Sequence, residues 1–253
     1  MKLTFLGTGT SQGVPVIGCD CKVCRSLDFR DDRLRSSIHI EDGDTSIIVD
    51  SGPDFRQQVL RERIRTMDAL LFTHEHKDHT AGMDDIRSFN FLQKKDMPVY
   101  ARKEVIEQLK REFAYIFENL PYPGIPRIEV KEIENKPFTI GKTEIVPIEV
   151  MHMKLPVFGF RFGDITYITD AKTISEKERK KIRGSKVLVL NALHQKEHYS
   201  HLNLKEAIEL ASDLKAEKAY FTHISHWMGL HKEVEKDLPE NMFLAYDGLK
   251  LEA

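Results

Sequence analysis

The chain has 253 residues, of which 38 are Lys or Arg and 40 are Asp or Glu, so its formal net charge is −2. That balance excludes the strongly basic field of a general nucleic-acid binder, and 41% hydrophobic residues are too many for a disordered chain. No apolar run approaches the ~18 residues of a membrane span, and the first residues are more typical of a strand than of a secretory signal. We therefore expect a cytoplasmic α/β protein without membrane contact.

Short apolar stretches closed by Gly, Pro or polar residues predict strands. In the first half these are residues 2–6, 46–50 and 69–73, and a helix is predicted over 103–118, before a turn at 121–124. In the second half strands are predicted at 143–150, 157–162, 165–169, 187–190 and 219–222, with a hairpin turn at 163–164 and a helix over 203–214 capped by Asn203. Without a linker between them, the two β-rich halves indicate one two-sheet domain over residues 1–253, with helices outside.

The most informative segment, residues 73–79, reads Thr-His-Glu-His-Lys-Asp-His and follows a predicted strand. It offers four metal-ligating side chains, namely His74, His76, Asp78 and His79. A strand end that opens into a loop can direct such side chains at one point, and imidazole with carboxylate suits Zn²⁺, Mn²⁺ or Fe²⁺. The segment lacks the His-Glu-x-x-His pattern of helical zinc proteases. The alternative is a histidine-rich surface loop.

Three further candidates, His152, Asp170 and His223, stand at or just past predicted strand ends. One such residue alone is more often structural, because turns favour local hydrogen bonds, but recurrence at several strand ends favours a shared site. We predict two ions bridged by Asp170. The ligands of the first are His74, His76 and His152, and those of the second are Asp78, His79 and His223. Two cations about 3.5–4 Å apart hold a bridging hydroxide for an in-line displacement.

This ordered ligand set resembles that of the metallo-β-lactamase superfamily, and the match spans most of the chain. The resemblance implies an α/β (α+β) fold, the four-layer αββα sandwich, with a dinuclear site at one edge of the two sheets. It also implies that Asp50 helps hold the site without binding metal. Lactamases, thioesterases, nucleases and phosphodiesterases share the motif, so the motif alone does not select a substrate.

Three cysteines, Cys19, Cys21 and Cys24, are too few for a closed disulfide framework. They supply three thiolates, one short of the four donors of a structural zinc site, and His226 is the candidate for the fourth. Such a zinc would tie a loop at residues 19–24 to the last predicted strand. The alternative is three reduced thiols without metal, which would be prone to oxidation.

The Gly-Thr-rich segment 7–15 followed by the cysteines resembles the phosphoribosyl cyclic phosphate phosphodiesterase (PhnP-like) family. Residues 152–159, 222–226 and 247–248 match it as well. The resemblance implies a structural zinc on the three cysteines and His226, and a dinuclear centre, often manganese, that cleaves a cyclic phosphodiester. It also implies that Asp78 and His201 are catalytic.

For several side chains near the predicted site, the sequence allows two interpretations. A protonated His201 could donate to a leaving alkoxide, or it could simply flank a helix. His194 and His198 are left open as substrate contacts. Residues 84–91 could form a lid, although charged residues there are more often solvated. Trp227 and Met228 could form a wall of the site or lie in the core, and we favour the core. His39 and His231 should be structural or solvent-facing.

Together these observations predict a metal-dependent phosphodiesterase that hydrolyses a small phosphodiester, including cyclic phosphates and nucleotides, with a metal-bridging hydroxide. Its cofactors would be two Mn²⁺, Zn²⁺ or Fe²⁺ ions and one structural zinc. Its partner would be the substrate, with nucleic acid disfavoured and a homodimer left open. The alternatives are a non-catalytic binding or carrier protein similar to PqqB, and a tRNA-processing-type nuclease, which the near-neutral charge disfavours.

Overall fold

The structure is a computed structural model that describes residues 1–118, 122 and 124–253. The turn predicted at residues 121–124 lies largely outside this part of the chain. The first half contains, in order, β1 (Lys2–Gly7), β2 (Ser37–Asp42), β3 (Thr45–Val49), α1 (Phe55–Glu62), β4 (Ala69–Leu71), α2 (Lys77–Thr80), α3 (Arg87–Gln93), β5 (Met97–Ala101), α4 (Lys103–Glu112), α5 (Ala114–Phe117) and β6 (Ile128–Glu132). The second half contains β7 (Phe138–Ile140), β8 (Thr143–His152), β9 (Leu155–Phe162), β10 (Ile165–Tyr167), α6 (Glu176–Ile182), β11 (Val187–Asn191), α7 (Leu204–Leu214), β12 (Lys218–Thr222), α8 (His231–Val234), β13 (Met242–Leu244) and β14 (Lys250–Glu252).

Within the described residues, these strands form two sheets of seven. The first has the order β14-β1-β2-β3-β4-β5-β6, and the second has the order β13-β12-β11-β10-β9-β8-β7. Four neighbouring strands run parallel in each sheet, β3 to β6 in the first and β10 to β13 in the second. Because parallel strands end at the same edge of a sheet, the segments that follow them are gathered along that edge.

Buried apolar side chains divide into three clusters that match the layers. One cluster, with Phe5 and Phe160, lies between the two sheets. A second, with Leu188 and Leu210, joins the second sheet to α7, and a third joins the first sheet to α1, α3 and α4 around Phe89. The order of layers is therefore helix, sheet, sheet, helix, and the predicted αββα class is confirmed.

The two predicted helices have different outcomes. Helix α7 ends at Leu214 as predicted, and Asn203 caps it reciprocally with Glu206, each side chain accepting from the other residue's backbone N–H at 2.8 and 2.9 Å. The helix predicted over 103–118 is instead interrupted at Phe113, whose φ of −119° and ψ of 42° are not helical. That single prediction is corrected to two helices, α4 and α5.

Expectations for individual side chains near the surface also change. Met228 is 2% exposed, as expected for the core, whereas Trp227 is 70% exposed, so its predicted core position is wrong. In the segment considered as a lid, Ile86 and Phe89 are buried in the core beneath α3. His39 and His231 are both buried and hydrogen-bonded, so they face the interior. No helix in the described part of the chain is both long and apolar enough to cross a membrane.

Candidate metal centres

Three predicted site residues stand at or just past strand ends with a left-handed backbone. The φ angles are 65° for Asp50 after β3, 55° for Asp170 after β10 and 56° for His223 after β12. Residues other than Gly seldom adopt this conformation, and such strain is concentrated at functional sites. The sharp turns bring side chains from both sheets to a common edge.

The histidine-rich segment is fastened to the loop after β3 by backbone contacts. The N–H of Ser51 donates to the carbonyl oxygen of His79 at 2.8 Å, and the N–H of Gly82 donates to the carbonyl oxygen of Ser51 at 2.8 Å. A Cβ atom on Gly52 would overlap the carbonyl oxygen of Asp78. The close approach therefore requires glycine there, and it holds the candidate ligands rigidly.

The seven predicted ligands lie together at this edge, and we call them the imidazole–carboxylate centre. Donor atoms within 4.8 Å of one another form three overlapping groups: His74, His79 and Asp170; Asp78, His79 and His223; and His152, Asp170 and His201. Asp170 belongs to two of these groups, which is the position of a shared carboxylate. His76 lies beside them, with its Nδ1 atom 3.0 Å from Nε2 of His74.

The geometric groups coincide only in part with the predicted ligand sets. Asp78, His79 and His223 form one group, as predicted for the second ion. The set predicted for the first ion is divided, because His74 groups with His79 and Asp170 while His152 groups with Asp170 and His201. The allocation of ligands to particular ions therefore stays a prediction.

The electrostatics of the centre fit divalent cations. Nε2 of the fully buried His79 lies 3.2 Å from Oδ2 of Asp78 and 3.3 Å from Oδ2 of Asp170, with no hydrogen-bond partner in the described part of the chain. Although burial opposes protonation, Asp78, Asp170 and Asp50 raise the pKa of His79 well above its ordinary value. A bound cation would balance this buried negative charge and displace the proton from the ring.

Two candidate ligands are oriented by bonds from their other ring nitrogen. Nδ1 of His79 donates to Oδ2 of the buried Asp50 at 2.7 Å, and Asp50 also accepts from the backbone N–H and the hydroxyl of Thr73, each at 2.9 Å. Nδ1 of His152 donates to the carbonyl oxygen of Ser200 at 2.8 Å. In both rings Nε2 is left free for a metal, and Asp50 has the supporting position expected of it.

His201 lies against the imidazole–carboxylate centre. Its ring centroid is 4.5 Å from that of His152 and 5.0 Å from that of His223, and its Nδ1 atom is 3.8 Å from Oδ1 of Asp170. Burial lowers the pKa of His201 to about 3, so the ring is neutral and can donate one N–H. This placement suits a substrate contact or a metal ligand, and the catalytic role stays a prediction.

The three cysteines and His226 form a second cluster, which we call the thiol cluster. Nδ1 of His226 is 3.3 Å from Sγ of Cys19 and 3.4 Å from Sγ of both Cys21 and Cys24. Tetrahedral zinc, with bonds of about 2.3 Å to sulfur and 2.0 Å to nitrogen, places such donors roughly 3.6 Å apart. The backbone N–H of Cys24 lowers the pKa of Cys21 to about 6, which favours a thiolate there, whereas burial raises the pKa of the Cys24 thiol to about 11. The cluster therefore fits a zinc ion.

Sequence reasoning missed two supporting residues at this edge. Thr73 holds Asp50 in place through its backbone N–H and its hydroxyl. Asn191, at the end of β11, accepts from the backbone N–H of Ala171 at 2.7 Å and donates to its carbonyl oxygen at 3.0 Å, and so fixes the turn after Asp170. A polar residue at the end of a buried strand was the available signal for Asn191.

A family model described as the beta-lactamase superfamily domain matches residues 45–224, so the chain belongs to that superfamily. A crystal structure described as a new diphosphatase from the PhnP family is 39% identical to this chain and superimposes with a TM-score of 0.93. The match covers 100% of this chain and 97% of that chain. Within the superfamily, the chain therefore belongs to the PhnP family. The predicted resemblance is confirmed at this level.

Two other relatives are similar in fold or in sequence, but each supports a narrower conclusion. Zn²⁺-bound PqqB from Methylobacterium extorquens has a TM-score of 0.81 with all of both chains covered, but at 17% identity it supports the fold alone. A Porphyromonas gingivalis protein named octanoyltransferase is 37% identical over 253 residues, which are 99% of this chain and 51% of that protein. The chain thus spans about half the length of this curated relative.

Proposed function

We propose that this protein hydrolyses small phosphodiesters, with cyclic phosphates and nucleotides among its candidate substrates. The observation that carries the proposal is the convergence of imidazoles and carboxylates from four strand ends at one sheet edge, with His201 beside them. The membership of the chain in the PhnP family supports the same conclusion.

The ligands proposed for two divalent ions, Mn²⁺, Zn²⁺ or Fe²⁺, are His74, His76, Asp78, His79, His152, Asp170 and His223. When bound, such ions supply Lewis acidity toward phosphoryl oxygens and acidify a water molecule. Asp78, proposed as both a ligand and a catalytic residue, can accept a proton on its carboxylate. His201 donates an N–H to the phosphate or to the departing oxygen, which helps cleavage as negative charge builds there.

A structural zinc is proposed for the thiol cluster, held by Cys19, Cys21, Cys24 and His226. It would join residues 19–24 to the turn after β12. Four bonds to one ion would add a cross-link to the contacts that the loop already makes through the buried Val23 and the Lys22–Glu233 ion pair at 2.8 Å.

The test is hydrolysis by metal-analysed protein of bis-p-nitrophenyl phosphate, 2′,3′-cyclic nucleotides and 3′,5′-cyclic nucleotides. We expect monoester products that depend on Mn²⁺ or Zn²⁺, and absence of turnover by fully loaded protein would contradict the proposal. His201→Gln should lower kcat by roughly 10²- to 10⁴-fold with unchanged metal content. Loss of an ion from this variant would instead make His201 a ligand.

A second candidate reaction is hydrolysis of a diphosphate linkage, which the 39% identical diphosphatase favours. The same cationic centre and His201 would act on a phosphoanhydride through the charge on its phosphoryl oxygens. Including nucleoside diphosphates and sugar nucleotides in the panel separates the two. If the protein cleaved only the nucleoside diphosphates and sugar nucleotides, hydrolysis of a diphosphate linkage would replace the proposed hydrolysis of phosphodiesters.

The remaining alternatives give different results in the same assay. A PqqB-like binding or carrier protein would retain metal without turnover, and a nuclease would cleave RNA in preference to mononucleotides. Octanoyl transfer is the activity in the name of a relative that is about twice as long as this chain. Transfer of an octanoyl group from a thioester by this chain would favour that activity.

A further inference from the structure

An aromatic cleft lies between the segment after β11 and the turn after β12. Its volume is ≈ 440 Å³, and it is lined by His194, Gln195, Lys196, Glu197 and Trp227. Trp227 is the one tryptophan of the sequence, and 70% of its surface is exposed. Because a large apolar side chain gains from burial, a fixed and exposed indole at a cleft indicates a surface that a ligand covers.

Hydrogen bonds join the two walls of this cleft. The backbone N–H of Ser225 donates to the carbonyl oxygen of Leu193 at 2.9 Å, and Nε2 of Gln195 donates to the carbonyl oxygen of Met228 at 3.1 Å. The hydroxyl of Ser225 accepts from the backbone N–H of Trp227 at 3.3 Å. The indole also stacks on the ring of His226, with centroids 5.1 Å apart and planes at 27°. The cleft is therefore preformed, which reduces the entropy cost of binding.

A line of rings connects the cleft with the reacting centre. Centroids are 5.8 Å apart for Trp227 and His194, 5.6 Å for His194 and His198, and 5.3 Å for His198 and His201. Tyr199 stacks on His198 at 4.5 Å. These tilted and edge-to-face rings form a row of neighbours from His201 to Trp227, along which a molecule with its phosphate beside His201 can extend.

His194 forms a buried part of the cleft wall. Its side chain is 5% exposed, it lines the cleft, and its Nδ1 atom has no hydrogen-bond partner among residues 1–118, 122 and 124–253. A buried polar atom without a partner is costly and rare in folded proteins. Because this nitrogen is itself enclosed, the imidazole would have to turn before the atom could meet a molecule in the cleft.

We propose that this cleft binds the nucleobase of a nucleotide substrate, which rests on the phosphodiesterase function proposed above. The base stacks on Trp227, at the end of the row of rings that leads from His201. Stacking of a base on an aromatic side chain changes affinity by roughly 5- to 150-fold. A sugar phosphate without a base would leave the cleft unused.

The kinetic test compares adenosine 2′,3′-cyclic phosphate with methyl riboside 2′,3′-cyclic phosphate, which carries the same diester without a base. Trp227→Ala should lower kcat/KM for the nucleotide by roughly 5- to 150-fold, mainly through KM, and leave the base-free diester unchanged. Trp227→Phe should restore most of the loss. Phe91→Ala is the matched control, because Phe91 is 64% exposed and lines a different cleft. Zinc content and Tm of each variant check that the neighbouring thiol cluster is intact.

The single tryptophan also gives a direct binding signal that does not depend on turnover. Adenosine monophosphate added to the metal-loaded wild-type protein should quench indole emission, whereas ribose 5-phosphate should not. Hydrolysis of both diesters at equal kcat/KM without quenching would overturn this inference and leave the proposed function standing. Quenching by the nucleotide without turnover of any phosphodiester would remove the proposed function and support the cleft as a nucleotide-binding site.

Discussion

The thiol cluster takes three of its four donors from six consecutive residues of one loop, and all four are half-exposed. The imidazole–carboxylate centre takes its donors from four strand ends of two sheets, and His74, His79, Asp170 and His223 are buried there. The three thiolates can gather as soon as their loop closes, and only His226 has to come from the turn after β12, whereas the imidazole–carboxylate centre requires that both sheets have packed. Damage to the first should therefore affect stability, and damage to the second should affect chemistry.

Among the substitutions that test this contrast, Asp170→Ala should have the largest effect. Removal of the carboxylate shared by two donor groups should reduce kcat/KM on a phosphodiester on the order of a thousandfold or more, because several kcal/mol of charge stabilisation depend on the ions. Zinc in the thiol cluster should stay at one ion per chain in elemental analysis. Activity near that of the wild type would contradict the proposed bridging position.

A smaller loss is expected from Asp50→Asn, which keeps the shape of the side chain and removes its charge. The amide would no longer stabilise the N–H of His79 as the carboxylate does, so metal affinity or activity should fall by roughly 10- to 100-fold. Metal titration followed by calorimetry measures this effect. Asp44→Asn, at an exposed turn between β2 and β3, is the matched control, and an equal effect of the two changes would argue against a supporting role for Asp50.

Cys21→Ser should have the complementary result. The protein should lose one zinc ion and about 5 °C or more in Tm, while activity on a base-free phosphodiester changes less than tenfold. Lys22→Ser, an exposed change in the same loop, should retain zinc and Tm. If Cys21→Ser kept its zinc, the thiol cluster would not be the structural site.

The smallest effect concerns acid stability far from either cluster. Burial lowers the pKa of His39 to about 4, so the folded protein keeps this ring neutral, with Nε2 bonded to Ser46 Oγ at 2.8 Å. The unfolded chain takes up a proton near pH 6.5, so stability is present above that pH and is lost as the pH falls toward 4. Urea unfolding should lose up to about 2 kcal/mol between pH 7 and pH 5 from this group. His39→Gln should have a shallower pH dependence, and an unchanged slope would contradict the assignment.

The sequence predicted those parts of the fold whose signals are local. Helix α7 carries buried residues at helical spacing and a capping box, and its limits differ from the prediction by one residue at most. Helix α1 was not predicted, because its sequence, Phe-Arg-Gln-Gln-Val-Leu-Arg-Glu, buries only Phe55 and Gln58 and has a weak apolar pattern. The break at Phe113 depends on tertiary packing and not on a Gly or Pro signal.

The same distinction applies to the candidate site. The segment 73–79 and the cysteine cluster were visible as motifs, because each set of donors lies within a few residues of sequence. The separation of His74 and His152 into different donor groups could not be predicted, since it depends on distances between strand ends that only the packed sheets determine. Exposure of Trp227 was missed because the short helical turn His226–Met228 directs neighbouring side chains to opposite environments.

The two ends of the described chain meet at one place in the fold. Met1 and Ala253 bond to each other through their backbones at 2.9 and 3.0 Å, where β14 pairs with β1. Thr10, beyond the other end of β1, approaches His223 at 3.3 Å, so the termini lie opposite the imidazole–carboxylate centre. A second polypeptide attached at residue 1 or residue 253 would therefore leave the mouth of the site open.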